Sequence, residues 1–241
     1  MTRERGFTLI EMAIVLVIIT ILIGGLAMPL AAQIQARRIA ETRQTLQAAR
    51  DALIGYAMMT SASSGGRPYL PCPDITGDGR EDRSGNQCSS ISAPDSISYG
   101  RLPWATLGVA PQDAWGNRLG YAVVSQFADS SAGFTVTPFP ATQITVCPTR
   151  SCPSKTADNN VAFALISYGP NGWGAWSTSD TQLALPTGPD ELENLDDNSK
   201  VVMRTPTAAD TPLGEFDDLV TWTSLSELTG RVCLTSSSCA P

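Results

Sequence analysis

Hydrophobic positions follow three different patterns along the chain. The first is a nearly unbroken apolar run that begins at Phe7. From Met12 to Leu30 it reads MAIVLVIITILIGGLAMPL, with Thr20 the only polar side chain, and no charge occurs between Met12 and Ala36. A helix rises about 1.5 Å per residue, so about 20 such residues cross a hydrocarbon layer of roughly 30 Å. The run therefore predicts a membrane-spanning helix over 7–30. Gly24, Gly25 and Pro29 weaken helices, and they predict a kink or a melted stretch there. In the second pattern, Ile34, Ile39, Leu46, Leu53 and Ile54 recur at helical spacing. This extends an amphipathic helix over 31–60, until the Thr60–Gly66 run of small residues stops it.

The third pattern is a series of short apolar runs between turn residues. Strands are predicted at Leu119–Gln126, Phe134–Thr137, Gln143–Cys147, Val161–Ser167, Lys200–Arg204, Leu219–Thr223 and Arg231–Leu234. Residues 65–112 read as a loop-rich insertion. One long helix followed by short strands predicts an α+β fold, with an antiparallel sheet packed on the amphipathic half of the helix. No linker run or internal repeat divides 61–241, which reads as one globular domain.

Composition narrows the chemistry. The 241 residues contain no histidine, which removes Ser-His and Cys-His nucleophile systems and His-ligated zinc or haem. The net charge is −7, from 23 acids and 16 bases. The acids concentrate in the body: between Asp180 and Asp218 only Lys200 and Arg204 are basic. Such a surface repels phosphate backbones, so a nucleic-acid partner is not expected. No pair of carboxylates is marked out as catalytic, and no enzymatic activity or organic cofactor is expected. Six cysteines, at 72, 88, 147, 152, 233 and 239, all lie beyond the apolar run. An even set reads as disulfides and so as an oxidising compartment, and six cysteines allow 15 pairings. Sequence proximity favours Cys72–Cys88, Cys147–Cys152 and Cys233–Cys239. Arg3 and Arg5 favour a cytoplasmic N-terminus while Arg37, Arg38 and Arg43 favour the reverse. The cysteines decide for a body outside the cytoplasm.

Glu11 does not fit a plain anchor. An ionised carboxylate inside an apolar span is costly unless it is paired. The segment around it, Gly6-Phe7-Thr8-Leu9-Ile10-Glu11-Met12 after a short basic leader, resembles the class III signal of type IV pilins and type II secretion pseudopilins. The resemblance implies that prepilin peptidase cuts between Gly6 and Phe7, that residues 1–6 are a leader, and that the new amino terminus at Phe7 is N-methylated. The new ammonium would then give Glu11 a cation to pair with, on its own chain or on a neighbour. Asp113-Ala114-Trp115-Gly116-Asn117, followed by Tyr121, is similar to the segment that enters the first sheet strand of major pseudopilins. Ile166–Gly172 resembles the turn that precedes their calcium loop.

Two acidic stretches suit calcium, a hard cation that takes oxygen ligands. Asp74, Thr76, Asp78 and Asp82 stand at positions 1, 3, 5 and 9 of an EF-hand-like loop, with Gly79 at position 6, but Gly85 occupies the place of the bidentate glutamate. By analogy with pseudopilins, Asn171, Asp196 and Asp197 form the second ligand set. The resemblance implies a single-pass inner-membrane protein with a periplasmic body, later a subunit of a periplasmic or extracellular filament. Its partners would be copies of itself and other pilins, prepilin peptidase and the inner-membrane assembly platform. The alternative is a minor or tip pilin whose aromatic loop, Trp173 and Trp176, contacts a ligand.

Overall fold

The computed structural model describes residues 7–90, 96–134, 143–196, 198–233 and 239, and leaves the side chains of 23–29, 158 and 159 undescribed. Helix α1 runs from Leu9 to Met59. It begins at a capping box, which the spacing Thr8-x-x-Glu11 encodes. The Glu11 carboxylate accepts the Thr8 N–H and the Thr8 hydroxyl, each at 2.8 Å, and the Glu11 N–H donates to Thr8 Oγ1 at 3.3 Å. The helix is unbroken through Gly24 and Pro29, so the melted stretch expected there is absent from the isolated chain. Among the described residues no helix is long and apolar enough to cross a membrane; the side chains of 23–29, at the C-terminal end of the expected span, lie outside them.

The chain divides into two compact units, Met1–Ala40 and Glu41–Pro241. In the first, the described apolar side chains of α1 from Leu9 to Ile34 are exposed, among them Leu9, Ile10, Leu16 and Ile21. In the second, α1 buries Thr42, Leu46, Ala49, Leu53, Ile54 and Ala57, which recur at three- and four-residue spacing on one helical face. Ile34, part of the sequence pattern, stays exposed. The buried stripe thus starts at Thr42, and its small members let other elements approach the helix closely.

The body is a mixed sheet. Strands β1 (Arg83–Ser84) and β2 (Gln87–Cys88) form a separate small hairpin. The main sheet contains β3 (Ile97–Arg101), β4 (Gly120–Val124), β5 (Ile144–Cys147), β6 (Ala157–Ser167), β7 (Lys200–Val202) and β8 (Leu219–Ser224). Its order is β3-β4-β6-β5-β7, with β8 also paired to β6. All pairings are antiparallel except β5 with β7, which are parallel. Short helices α2 (Trp104–Leu107), α3 (Pro189–Glu193) and α4 (Leu225–Val232) complete the body. Arg50 of α1 ties helix to sheet: its Nε donates to Thr223 Oγ1 of β8 at 2.9 Å, and its guanidinium pairs with Glu227 of α4.

Several expectations change. Arg231–Val232 end a helix and do not start a strand. The reason is local: Ser224 accepts the Glu227 N–H at 3.1 Å as an N-cap, and Leu225, Leu228 and Val232 fall on one buried face. Leu234 lies outside the described residues, as do 135–137 of the strand expected at 134–137. Strand β3 lies inside the stretch read as a loop-rich insertion. The cysteines pair as proximity favours, Cys72–Cys88, Cys147–Cys152 and Cys233–Cys239.

Candidate metal centre and N-terminal motif

Three carboxylates meet where β8 begins. Glu191 comes from α3, and Asp217 and Asp218 immediately precede β8. One carboxylate oxygen from each lies within 4.8 Å of the others. Glu191 is 2% exposed and Asp218 4% exposed. Asn171, in the turn after β6, bridges two of them: its side-chain amide donates to Glu191 Oε1 at 3.3 Å and its backbone N–H to Asp217 Oδ2 at 3.2 Å. The Asp217 N–H also donates to Glu191 Oε1, at 2.9 Å. Asn194 holds the third acid, donating to Asp218 Oδ2 at 2.8 Å while its amide exchanges both hydrogen bonds with Val202 of β7.

Two oxygens remain without a partner in this network, Glu191 Oε2 and Asp217 Oδ1, both buried. A buried carboxylate oxygen with no donor is costly. Arg204, whose charge acts on Glu191, is already paired with Asp190 at 2.7 Å and lies over the Phe216 ring. Burial therefore raises the Asp217 carboxyl to about 7, with Glu191 and Glu215 adding repulsion. Burial also pushes Glu191 and Asp218 upward. Three clustered acids, two of them with a buried oxygen that has no partner among the described residues, are suited to a hard cation.

The residues singled out by sequence are distributed differently. Asn171 is at the cluster, but as a donor to carboxylates; its Oδ1 accepts the Trp173 N–H at 2.9 Å. Asp196 is not part of the cluster, and Asp197 lies outside the described residues. In the first acidic loop the carboxylates are occupied by the turn itself. Asp74 accepts the Gly77 and Gly79 N–H groups at 2.6 and 2.9 Å, Asp82 those of Ile75 and Thr76 at 2.7 and 2.9 Å, and Asp78 that of Arg80 at 2.8 Å. The Thr76 hydroxyl donates to Asp82 at 3.1 Å. That loop closes on backbone donors. Sequence reading passed over Glu191 and the pair Asp217-Asp218 as ligands, although two adjacent acids directly before an apolar strand, at the buried end of a sheet, were a usable signal.

Asp113 is a structural hub. Its Oδ1 accepts the Trp115 and Asn117 N–H groups at 2.9 and 3.0 Å, and its Oδ2 the Ser167 hydroxyl at 2.7 Å. Burial nonetheless pushes its carboxyl upward. The turn it builds reaches α1 through the Ala114 N–H, which donates to Thr42 Oγ1 at 3.2 Å.

At the other end of the chain, Thr8 and Glu11 form the capped helix start and Phe7 stands exposed beside them. Gly6 lies outside the described residues. Residues 1–27 match the model of the prokaryotic N-terminal methylation motif. This is the class III signal of type IV pilins and pseudopilins, and it supports a type IV pilin-like precursor. The motif in general accompanies processing by prepilin peptidase, membrane anchoring of the precursor and assembly into filaments. No curated protein and no solved structure matches the chain.

Proposed function

We propose that the chain is a structural subunit of a type II secretion pseudopilus or a type IV pilus-like filament, processed by prepilin peptidase and assembled through α1. The observation that carries this reading is the methylation motif over residues 1–27, which contains the capped start of a helix whose described apolar side chains from Leu9 to Ile34 are exposed. Such a surface suits lipid in the precursor and other helices in a filament. The reading is tested by mass spectrometry of the chain produced beside a prepilin peptidase. The expected product starts at Phe7 and carries one added methyl group. Gly6→Ala is expected to slow leader removal about tenfold or more, since a side chain at the cut site hinders approach of the peptide bond. Unchanged processing of that variant argues against the peptidase step.

The body fits a bound calcium ion, held by Glu191, Asp217 and Asp218. The support is the pair of buried oxygens without donors. When bound, the ion would neutralise the cluster and join α3 to the start of β8. At about 100 times its dissociation constant a ligand adds about 2.7 kcal/mol, which in a domain of this size is about 5–10 °C in melting temperature. The expected result is a shift of that size between calcium and chelator, lost in Glu191→Gln. A melting temperature indifferent to chelator removes the ion from the description.

A further inference from the structure

A second feature of the body is a cavity of about 220 Å³ walled by Tyr99 and Arg101 of β3, Arg118, Gly120, Tyr168 and Trp176. Drug-sized ligands occupy about 300–1,000 Å³, so this space suits one small ring. The sheet register makes the room. Arg101 pairs with Gly120 across β3 and β4, and a Cβ at Gly120 would stand 2.5 Å from the Tyr168 hydroxyl oxygen.

The wall chemistry favours one kind of ligand. The acid in its lining, Asp74, accepts backbone N–H groups, and Arg101 pairs with Asp180, which is not part of the lining. Arg101 also donates to the Ile75 carbonyl at 2.7 Å and lies over the Trp176 ring at 4.6 Å, which fixes the indole. Arg118 is held by stacking on Trp104 at 5.1 Å and by one Nη donating to the Pro111 carbonyl at 2.9 Å. Its Nε and second Nη have no acceptor among the described residues. The Tyr99 hydroxyl donates to the Asn194 carbonyl at 2.8 Å, so the Tyr168 hydroxyl, 2.6 Å away, donates to Tyr99. The Tyr168 oxygen then keeps lone pairs for an incoming hydroxyl. The cavity thus offers a guanidinium with open donors, a fixed indole and a hydroxyl acceptor. The carboxylate in its lining, Asp74, is turned to the Gly77 and Gly79 N–H groups, which leaves the guanidinium as the open charged donor.

We propose that this cavity binds a uronate, a pyranose ring that carries a carboxylate. Arg118 forms charge-assisted hydrogen bonds to the carboxylate, the apolar face of the ring rests beside Trp176, and a ring hydroxyl donates to Tyr168. Free sugar and the terminal unit of an acidic polysaccharide share this chemistry.

The test is saturation-transfer NMR on the full chain in a zwitterionic detergent, which has no sugar headgroup to compete. Glucuronate, glucose and acetate are compared at about 10 mM, within reach of the millimolar affinities set by a few polar contacts. Transfer to glucuronate is expected, with signals from glucose and acetate at least tenfold weaker. Hydrogen bonds to charged groups contribute enough for Arg118→Gln to weaken glucuronate binding at least about tenfold. A short oligoglucuronate that displaces the monomer from the same site identifies a polysaccharide end as a source; one that fails to displace it limits the site to free uronate. Absence of transfer to glucuronate, an equal response from glucose, or an equal response from acetate each overturns the proposal. These comparisons use the unaltered chain, so they stand even if the variant folds poorly.

Discussion

Glu11→Ala is expected to leave the chain inserted and processed but to reduce its incorporation into filaments about a hundredfold. In the proposed filament the carboxylate lies among apolar helices, where losing one member of a buried ion pair costs about 3–5 kcal/mol, more than the 2.7 kcal/mol that corresponds to a hundredfold. The capping box complicates this argument and also sharpens it. In the isolated chain the Glu11 carboxylate binds Thr8 through both its N–H and its hydroxyl, so an alanine variant loses a helix cap as well as a charge. A cap contributes about 1 kcal/mol, too little to explain a hundredfold loss. Glu11→Gln separates the two contributions, since it keeps an oxygen for Thr8 and removes the charge. Incorporation of Glu11→Gln, measured by shearing and immunoblot, is expected to be as poor as that of Glu11→Ala. Thr8→Val, which removes the hydroxyl and leaves the charge, is expected to assemble nearly normally. Wild-type incorporation of Glu11→Gln would overturn the charge-pairing account and leave the capping box as the role of Glu11.

The second large effect is at Gly169, where the turn after β6 meets the carboxylate cluster. Its φ is +61°, and a Cβ there would lie 2.2 Å from Asp217 Oδ1 and 2.4 Å from the Asp217 carbonyl oxygen. The left-handed backbone costs a side chain about 1–2 kcal/mol, and overpacking against fixed backbone adds about 1–3 kcal/mol. Gly169→Ala is therefore expected to destabilise the body by about 3–4 kcal/mol, a fall of about 10 °C in melting temperature. It should also abolish any calcium-dependent shift, because Asp217 must move. Gly108→Ala is the matched control. Its φ is +68° but nothing lies within 4 Å of the added methyl, so only the conformational cost of about 1 kcal/mol applies. Equal stability of the two variants would show that the Asp217 contact yields freely.

The legibility of this chain varied with distance along it. The helix start, the Thr8-x-x-Glu11 box and the stripe from Thr42 to Ala57 depend on neighbours three and four residues apart, and such spacings can be read directly. The Ser224-x-x-Glu227 box that starts α4 was equally local, yet the apolar pair Val232 and Leu234 suggested a strand instead. Strand β3 was obscured for another reason: Ile97-Ser98-Tyr99-Gly100-Arg101 alternates correctly but is surrounded by turn residues. Its strand state depends on pairing with β4.

The acidic sites show the same division more sharply. Asp74 to Asp82 had cation-like spacing, but spacing does not reveal whether the oxygens face inward or accept backbone N–H groups of their own turn. Here they accept them. Glu191 and Asp217 are too far apart in sequence for any pattern to relate them. They meet because α3 and the start of β8 converge, with Asn194 bound to both Val202 of β7 and Asp218.

By itself the sequence determined the methylation motif, the long helix and the α+β class, and it favoured the three disulfides without fixing them, because each rests on contiguous residues or on short loops. Only the tertiary structure decided the parallel β5–β7 pair, the Glu191–Asp217–Asp218 cluster and the cavity at Gly120. Each of these depends on how elements distant in sequence meet, by strand register or by the convergence of α3 with the start of β8, which leaves no local trace.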